Sequence, residues 1–270
     1  MADLRRAAGG TGDEAMKAPV VSVVMPAFRC AGTIGAAVAS VLAQNVPLEL
    51  IIVDDQPGEN LEAVLGEYLL DPRVILLRNE TNLGAAQSRN QGVAAARGEY
   101  IAFLDADDIW APGKLEKQLA LLDQTGMVLC ATARELITPE GTHTGRIIPV
   151  RPVISYHRLL RHNAINCSSV VVRAEAVRRF PMAHEDSHED YILWLKILKT
   201  YGPACAINEP LLYYRLSSTG KSGSKFRSAR MTYRAYRYSG FSRIFSTVLF
   251  VSYAIHGVAK YALSRDRRKK

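Results

Sequence analysis

Short, fully apolar runs alternate along this chain with stretches whose apolar residues recur every three or four positions. The β-branched run at residues 20–25, halted by Pro26, predicts a buried first strand. Ile34, Val38, Val41 and Leu42 share one face of a following helix, with Thr33 placed to cap it. Residues 48–53 form a second strand that ends in Asp54 and Asp55, and residues 56–60 have turn chemistry. A helix over 61–70, a third strand over 73–77 and an Ala-rich helix over 84–97, with Gly98 as its C-terminal cap, come next. Residues 101–104 make a fourth strand, apolar on both faces. Such a βαβαβαβ order predicts a parallel sheet with right-handed crossovers. After a helix over 112–124 and a strand over 127–133 the rhythm changes. A turn at 138–142 between extended segments suggests an antiparallel hairpin added to the sheet. A strand over 166–173, a short helix over 174–180 stopped by Pro181, a helix over 191–200 and a strand over 204–214 complete the pattern.

The fourth strand runs straight into Asp105-Ala106-Asp107-Asp108. In an open α/β sheet the carboxyl ends of the strands are where ligands bind, and clustered carboxylates there repel one another unless a cation or protons neutralise them. Asp-x-Asp offers hard oxygen ligands suited to Mg²⁺ or Mn²⁺ shared with a substrate's phosphates. The same acids equally suit a capped turn, Asp107 or Asp108 serving the helix that begins near Pro112. No Gly-x-Gly-x-x-Gly follows the first strand and no Gly-x-x-x-x-Gly-Lys-Ser/Thr occurs, which argues against a dinucleotide-binding dehydrogenase and a P-loop enzyme.

Composition narrows the picture. With 270 residues, 48% of them hydrophobic, the chain can bury a sizeable core. Cys30, Cys130, Cys167 and Cys205 are scattered without metal-type pairing, which fits a reducing cytoplasm. The formal charge of +8 is unevenly spread: from Lys221 onward there are 13 Lys or Arg against the single acid Asp266, so residues 1–220 carry a net −4. A basic terminal segment of this kind suits an anionic surface, lipid or nucleic acid. Residues 1–18 lack the apolar region of a signal peptide and read as a mobile leader, with Met16 a possible alternative start. His184-Glu185-Asp186-Ser187-His188 fits the zinc-protease string His-Glu-x-x-His, but Pro181 and the polar interior predict a loop where that site needs a helix.

Six pieces, in order, carry a resemblance: residues 21–28, 39–44 and 49–55, the run from Asn82 through Gly84 to Arg89 and Asn90, residues 98–108, and Glu189-Asp190-Tyr191 with Leu193 and Trp194. In them the chain resembles a family 2 glycosyltransferase of the GT-A fold. That resemblance implies an α/β domain over 19–220, with a Rossmann-like, mostly parallel sheet flanked by helices and an added hairpin region. It also implies inverting transfer of a sugar from a nucleotide-diphosphate donor, a UDP-sugar, to a hydroxyl of a glycan or lipid-linked acceptor in surface polysaccharide synthesis. Carried onto this chain, Asp107 with Asp105 nearby would hold Mn²⁺ or Mg²⁺, and Asp190 would be the general base. Pro26, Ala27, Phe28 and Asp55 would meet the nucleoside, Asp55 accepting from a uracil-type imide, while Arg89, Asp105, Ala106 and Lys221 would lie along the sugar diphosphate. Glu185-Asp186 competes for the base role, but only Glu189-Asp190 precedes the Tyr-x-Leu-Trp pattern. Where the family often has a His in a Ser-rich closing loop, this chain has a Gly/Ser-rich segment with Lys221 and Lys225, suited to a mobile lid or a linker.

Residues 221–270 form the basic lid or linker and a helical tail. Arg227, Arg230, Arg234 and Arg237 interleave with Tyr233, Tyr236, Tyr238 and Phe241. The uncharged run 244–259 is shorter than the roughly twenty residues a spanning helix needs. It reads as an interfacial helix that holds the protein at the inner face of the cell membrane through Phe245, Leu249, Phe250 and Tyr253, or else as a helix packed on the body or on a partner subunit. A sugar nucleotidyltransferase would need a Gly-rich basic loop after the first strand, and a nucleic-acid-binding role for the tail leaves Asp107 and Asp190 without a purpose, so no nucleic-acid partner is expected.

Overall fold

The computed structural model describes residues 18–58, 60–216 and 225–266, with side chains for all of these except 225 and 255–266. The first half follows the expected alternation: β1 (Val21–Ala27), α1 (Ile34–Leu42), β2 (Leu48–Asp54), α2 (Leu61–Leu65), β3 (Val74–Arg78), α3 (Ala85–Ala95) and β4 (Tyr100–Phe103). β2, β1 and β4 lie side by side and parallel, with β3 parallel to β2 at the edge. The carboxyl ends of β1, β2 and β4 therefore share one edge of the sheet. β5 (Ile109–Trp110), α4 (Lys114–Thr125), β6 (Leu129–Ile137), β7 (His143–Ile148), β8 (Val153–Ile154) and α5 (Tyr156–Arg161) follow. Then come β9 (Val171–Arg173), α6 (Ala174–Arg179), α7 (Glu189–Tyr201), β10 (Ala204–Arg215), α8 (Lys225–Tyr238) and α9 (Arg243–Asp266). The sheet order is β3-β2-β1-β4-β9-β6-β10-β5. β9 is antiparallel to both β4 and β6, and β7 folds back on β6 as the added hairpin. Alternate residues of β1 feed two cores: Val24 joins α3 and α7 on one face, whereas Val21, Val23 and Met25 meet α1 and α4 on the other.

Several local expectations are corrected. Pro26 does not end β1 but pairs in register with Val53. Thr33 makes no side-chain cap; its hydroxyl donates to the Cys30 carbonyl instead. The helix expected over 61–70 breaks at Gly66, whose φ of 50° starts a 3-10 turn. Gly98 is no helix cap: a Cβ there would stand 2.6 Å from the Ser22 backbone nitrogen, so the residue is set by close approach to β1. The strand expected over 166–173 is a 3-10 turn, Cys167–Ser169, followed by the short β9. No acid caps α4, whose preceding residue is Gly113.

The C-terminal helices are integrated into the body to an unexpected degree. Met231, Thr232, Ala235 and Tyr236 of α8 are buried, and the Tyr236 hydroxyl donates to the Leu160 carbonyl at 2.6 Å. The string 184–188 is a loop, as expected. His184, at φ 69°, stacks on Tyr238 with ring centroids 3.8 Å apart, and Asp186 pairs with Arg234 at 2.8 Å. Among the described residues no helix is long and apolar enough to cross a membrane.

Candidate active site

At the ends of β1 and β2, Ala27, Phe28, Arg29, Cys30, Asp54, Gln56 and Leu61 line a small hollow, over which the Phe28 ring is half exposed. Asp54 accepts from the Gln56 backbone and pairs with Arg78 at 3.2 Å. Asp55 is buried and turned toward the segment before α3. It accepts from Asn79 Nδ2 and the Leu83 amide, both at 2.8 Å, and from the Gly84 amide at 2.9 Å. Pro26 lies beneath, inside β1.

The end of β4 is a tight acidic turn. The Asp108 amide donates to the Asp105 carbonyl at 3.0 Å, and the Asp105 amide donates to Ser168 Oγ at 3.1 Å. Arg215, the last residue of β10, braces the turn from behind: its amide donates to Asp108 Oδ1 at 2.9 Å, and its guanidinium donates to the carbonyls of Asp107 and Pro139, each at 2.7 Å. Burial, reinforced by Asp105, pushes the Asp107 carboxyl up to about 6. Burial, together with Asp107 and Asp105, also raises Asp108 well above the usual carboxylate range. Among the described residues no cation comes within salt-bridge distance of Asp107, and no three His, Cys, Asp or Glu side chains are arranged to enclose a metal ion. Asp107 and Asp105 thus form a donor set of hard oxygens, too few for a protein cage and suited to an octahedral cation that takes its remaining ligands from phosphate and water.

Arg89 joins this turn to α7. Its side chain is only 7% exposed, and it donates through Nη2 to Asp105 Oδ1 at 2.6 Å and through Nη1 to Glu189 Oε1 at 3.1 Å. Burial raises the Cys167 thiol, on which the charges of Arg89, Asp105, Asp190 and Glu189 also act. Asp190 accepts from the Tyr191 amide at 2.8 Å, and burial, then the Glu189 charge, raises its carboxyl. The rival acidic pair has other work. Glu185 accepts from the Ala86 amide at the start of α3, and Asp186 accepts from the Tyr238 hydroxyl at 3.0 Å besides pairing with Arg234. Asp105, Ala106, Asp107, Arg89 and Asp190 thus gather at one place, and Ala27, Phe28 and Asp55 stand along the same sheet edge. Lys221 lies outside the described residues. Sequence reasoning missed Glu189 as the partner of Arg89, and Arg215 and Ser168 as braces of the acidic turn; each acts across a long sequence separation that local spacing does not reveal.

Residues 22–184 match the sequence profile of Glycosyl transferase family 2. The chain belongs to this family. The glycosyltransferase is 34% identical over 245 residues to a putative teichuronic acid biosynthesis glycosyltransferase, TuaG, of Bacillus subtilis, covering 90% of this chain and 97% of that protein. It is 32% identical over 251 residues to the Escherichia coli UDP-Glc:alpha-D-GlcNAc-diphosphoundecaprenol beta-1,3-glucosyltransferase WfaP, covering 92% and 98%. Among solved structures, S. aureus TarS 1-349 in complex with UDP-GlcNAc superposes with a TM-score of 0.68 at 17% identity, over 87% of this chain and 71% of that one. The mannosyltransferase PcManGT of Pyrobaculum calidifontis, in complex with GDP-Man and Mn2+, gives 0.64 at 15% identity, over 93% and 80%. These likenesses establish the GT-A fold of the enzyme. The profile match stops at residue 184, before α7.

Proposed function

We propose that this glycosyltransferase moves a sugar, with inversion, from a UDP-sugar to a hydroxyl of a lipid-linked or glycan acceptor during surface polysaccharide synthesis, at the inner face of the cell membrane. The observation that carries the reading is the Arg89 bridge, which ties the acidic turn that would face the diphosphate to the helix start that bears Asp190. The names of the Bacillus and Escherichia relatives favour a cell-surface polymer and an acceptor on a polyprenyl diphosphate, and the bound UDP-GlcNAc of the TarS structure favours a UDP donor.

In this reading the uracil rests against Phe28 over the hollow lined by Ala27, Asp54 and Gln56, with Pro26 preceding it in β1. Asp55 holds the wall and keeps about one of its four lone-pair positions for the imide. Asp105 and Asp107 would hold Mn²⁺ or Mg²⁺, which when bound supplies Lewis-acid stabilisation of the diphosphate's charge. Asp190 accepts the proton of the acceptor hydroxyl as its oxygen bonds to the anomeric carbon from the face opposite the diphosphate; the bond to the diphosphate oxygen breaks and UDP departs with the electron pair. A carboxyl raised by burial and by Glu189 is a better proton acceptor at neutral pH than an ordinary one. Arg89 takes up one oxygen each of Glu189 and Asp105, while Ala106 and the turn backbone line the path of the sugar diphosphate.

Titration calorimetry of nucleoside diphosphates with and without Mn²⁺ tests the donor side. UDP with Mn²⁺ should bind, and heat-stabilise the protein by the usual linkage, while the other nucleotides bind more weakly. Failure of every nucleoside diphosphate to bind in the presence of Mn²⁺ would remove the donor reading; retention of configuration in the product, read by anomeric proton coupling, would remove the role of Asp190.

A further inference from the structure

α9 has two apolar faces, and the body of the protein uses one of them. Ser246 and Leu249 are buried, and Phe250 and Tyr253 are half-buried. Phe250 meets the Tyr233 ring of α8 edge-on at 6.2 Å, and Tyr253 lies 6.1 Å from the His162 ring at the end of α5. Three of the residues expected to enter lipid, Leu249, Phe250 and Tyr253, therefore turn inward. On the opposite side Ile244, Val248 and Val251 follow one another at i, i+4 and i+7 and are 81%, 57% and 51% exposed, with Phe245 on the flank at 48%. At about 100° per residue these three form one narrow stripe of α9.

A continuous apolar stripe on a folded surface marks an interaction site. We propose that this outer stripe of α9 lies in the headgroup region of an anionic lipid surface, so that the helix rests in the membrane plane between the protein body and the lipid. The proposal rests on the reading that the enzyme works at the membrane face, and it names the element that does the docking. Charge selects the occupant. Thirteen Lys or Arg against one acid from Lys221 onward would set two like-charged tails against each other in a dimer built on this face. An anionic leaflet meets the same charges with attraction. The exposed Arg158 and Arg161 of α5, the helix packed beside α9, extend the basic rim to a segment far away in sequence.

The experiment compares the full chain with Ile244→Glu/Val248→Glu, using Leu70→Glu as a control. Leu70 is an apolar residue 84% exposed in the 3-10 turn after α2, away from the basic helices. Co-sedimentation is measured with phosphatidylglycerol-containing vesicles and with pure phosphatidylcholine vesicles, alongside melting temperature, sedimentation equilibrium and transfer to a soluble acceptor. The wild type and Leu70→Glu should pellet with the anionic vesicles. Ile244→Glu/Val248→Glu should lose about tenfold or more of its partitioning while keeping its melting temperature and its turnover on the soluble acceptor. Equal pelleting of the double variant overturns the proposal. So does a lipid-free dimer of the wild type that the double variant dissolves, because a second copy then covers the stripe. Absence of sugar transfer by every form, with vesicle binding as expected, would count against the enzymatic reading alone.

Discussion

At the end of β2, Asp54 and Asp55 accept hydrogen bonds from backbone amides, from Asn79 and from Arg78; at the end of β4, on the same sheet edge, Asp107 has other carboxylates for neighbours. The two acidic strand ends read alike in sequence and differ in what surrounds them. A carboxylate ringed by N–H donors is part of the framework, because removing it strands the donors. A carboxylate pushed up to about 6 by burial and by a like charge is held in a state that a cation or a proton relieves. The backbone and guanidinium of Arg215 fix the β4 turn, and although the charges of Arg215 and Arg89 lower the Asp107 carboxyl, burial and Asp105 outweigh them.

Substitutions at the two ends should therefore have opposite signatures. Asp107→Asn should abolish Mn²⁺-dependent UDP binding in calorimetry while leaving the melting temperature unchanged or higher, since it removes a repelled charge. Full UDP affinity in that variant would erase the distinction between the two ends. Asp190→Asn, across the Arg89 bridge, should keep UDP affinity and lower turnover by roughly two to four orders of magnitude. Asp55→Asn should behave as a framework change. The two backbone amides donate to different oxygens of Asp55, and an asparagine keeps only one oxygen, so its NH2 must oppose the amide of either Leu83 or Gly84; urea unfolding should show a loss of about 2 kcal/mol or more, with a smaller effect on UDP binding. Unaltered stability would mean that Asp55 is as uncommitted as Asp107.

What the sequence disclosed follows from range. Strand, helix and acid at the end of β4 are neighbours in the chain, so the parallel sheet and the acidic turn were legible from periodicity alone. Arg215 is 108 positions from the Asp107 carbonyl it holds, and Glu189 is 100 from Arg89, so neither brace has a local signal. Gly98 read as a helix cap because its true constraint, the Ser22 backbone, belongs to another strand. In α8 the density of arginine concealed a buried Tyr236, which is satisfied through its hydroxyl. In α9 both faces are apolar, so spacing could not tell which one packs. The sequence distinguishes Glu185 and Asp186 from Glu189 and Asp190 by the aromatic pattern that follows the second pair, and in the structure the first pair contacts α3 and α8.

The finest comparison lies within the acidic pair at the start of α7, where Glu189 is ion-paired and Asp190 is not among the partners of Arg89. Burial raises the Asp190 carboxyl first and the Glu189 charge raises it further, while His188 and Arg89 act in the other direction. Glu189→Gln keeps an acceptor for Arg89 Nη1 and removes the adjacent negative charge. The Asp190 carboxyl should then fall toward the ordinary aspartate range. Because the base works only when ionised, activity is lost as pH drops through its pKa, so a lower pKa moves the acid limb of the kcat/KM profile to lower pH. A merely structural role for Glu189 would reduce the plateau and leave the limb in place. A limb that moves upward would mean that the substitution releases Arg89 from the pair and that its positive charge, rather than the charge of Glu189, sets the proton affinity of Asp190.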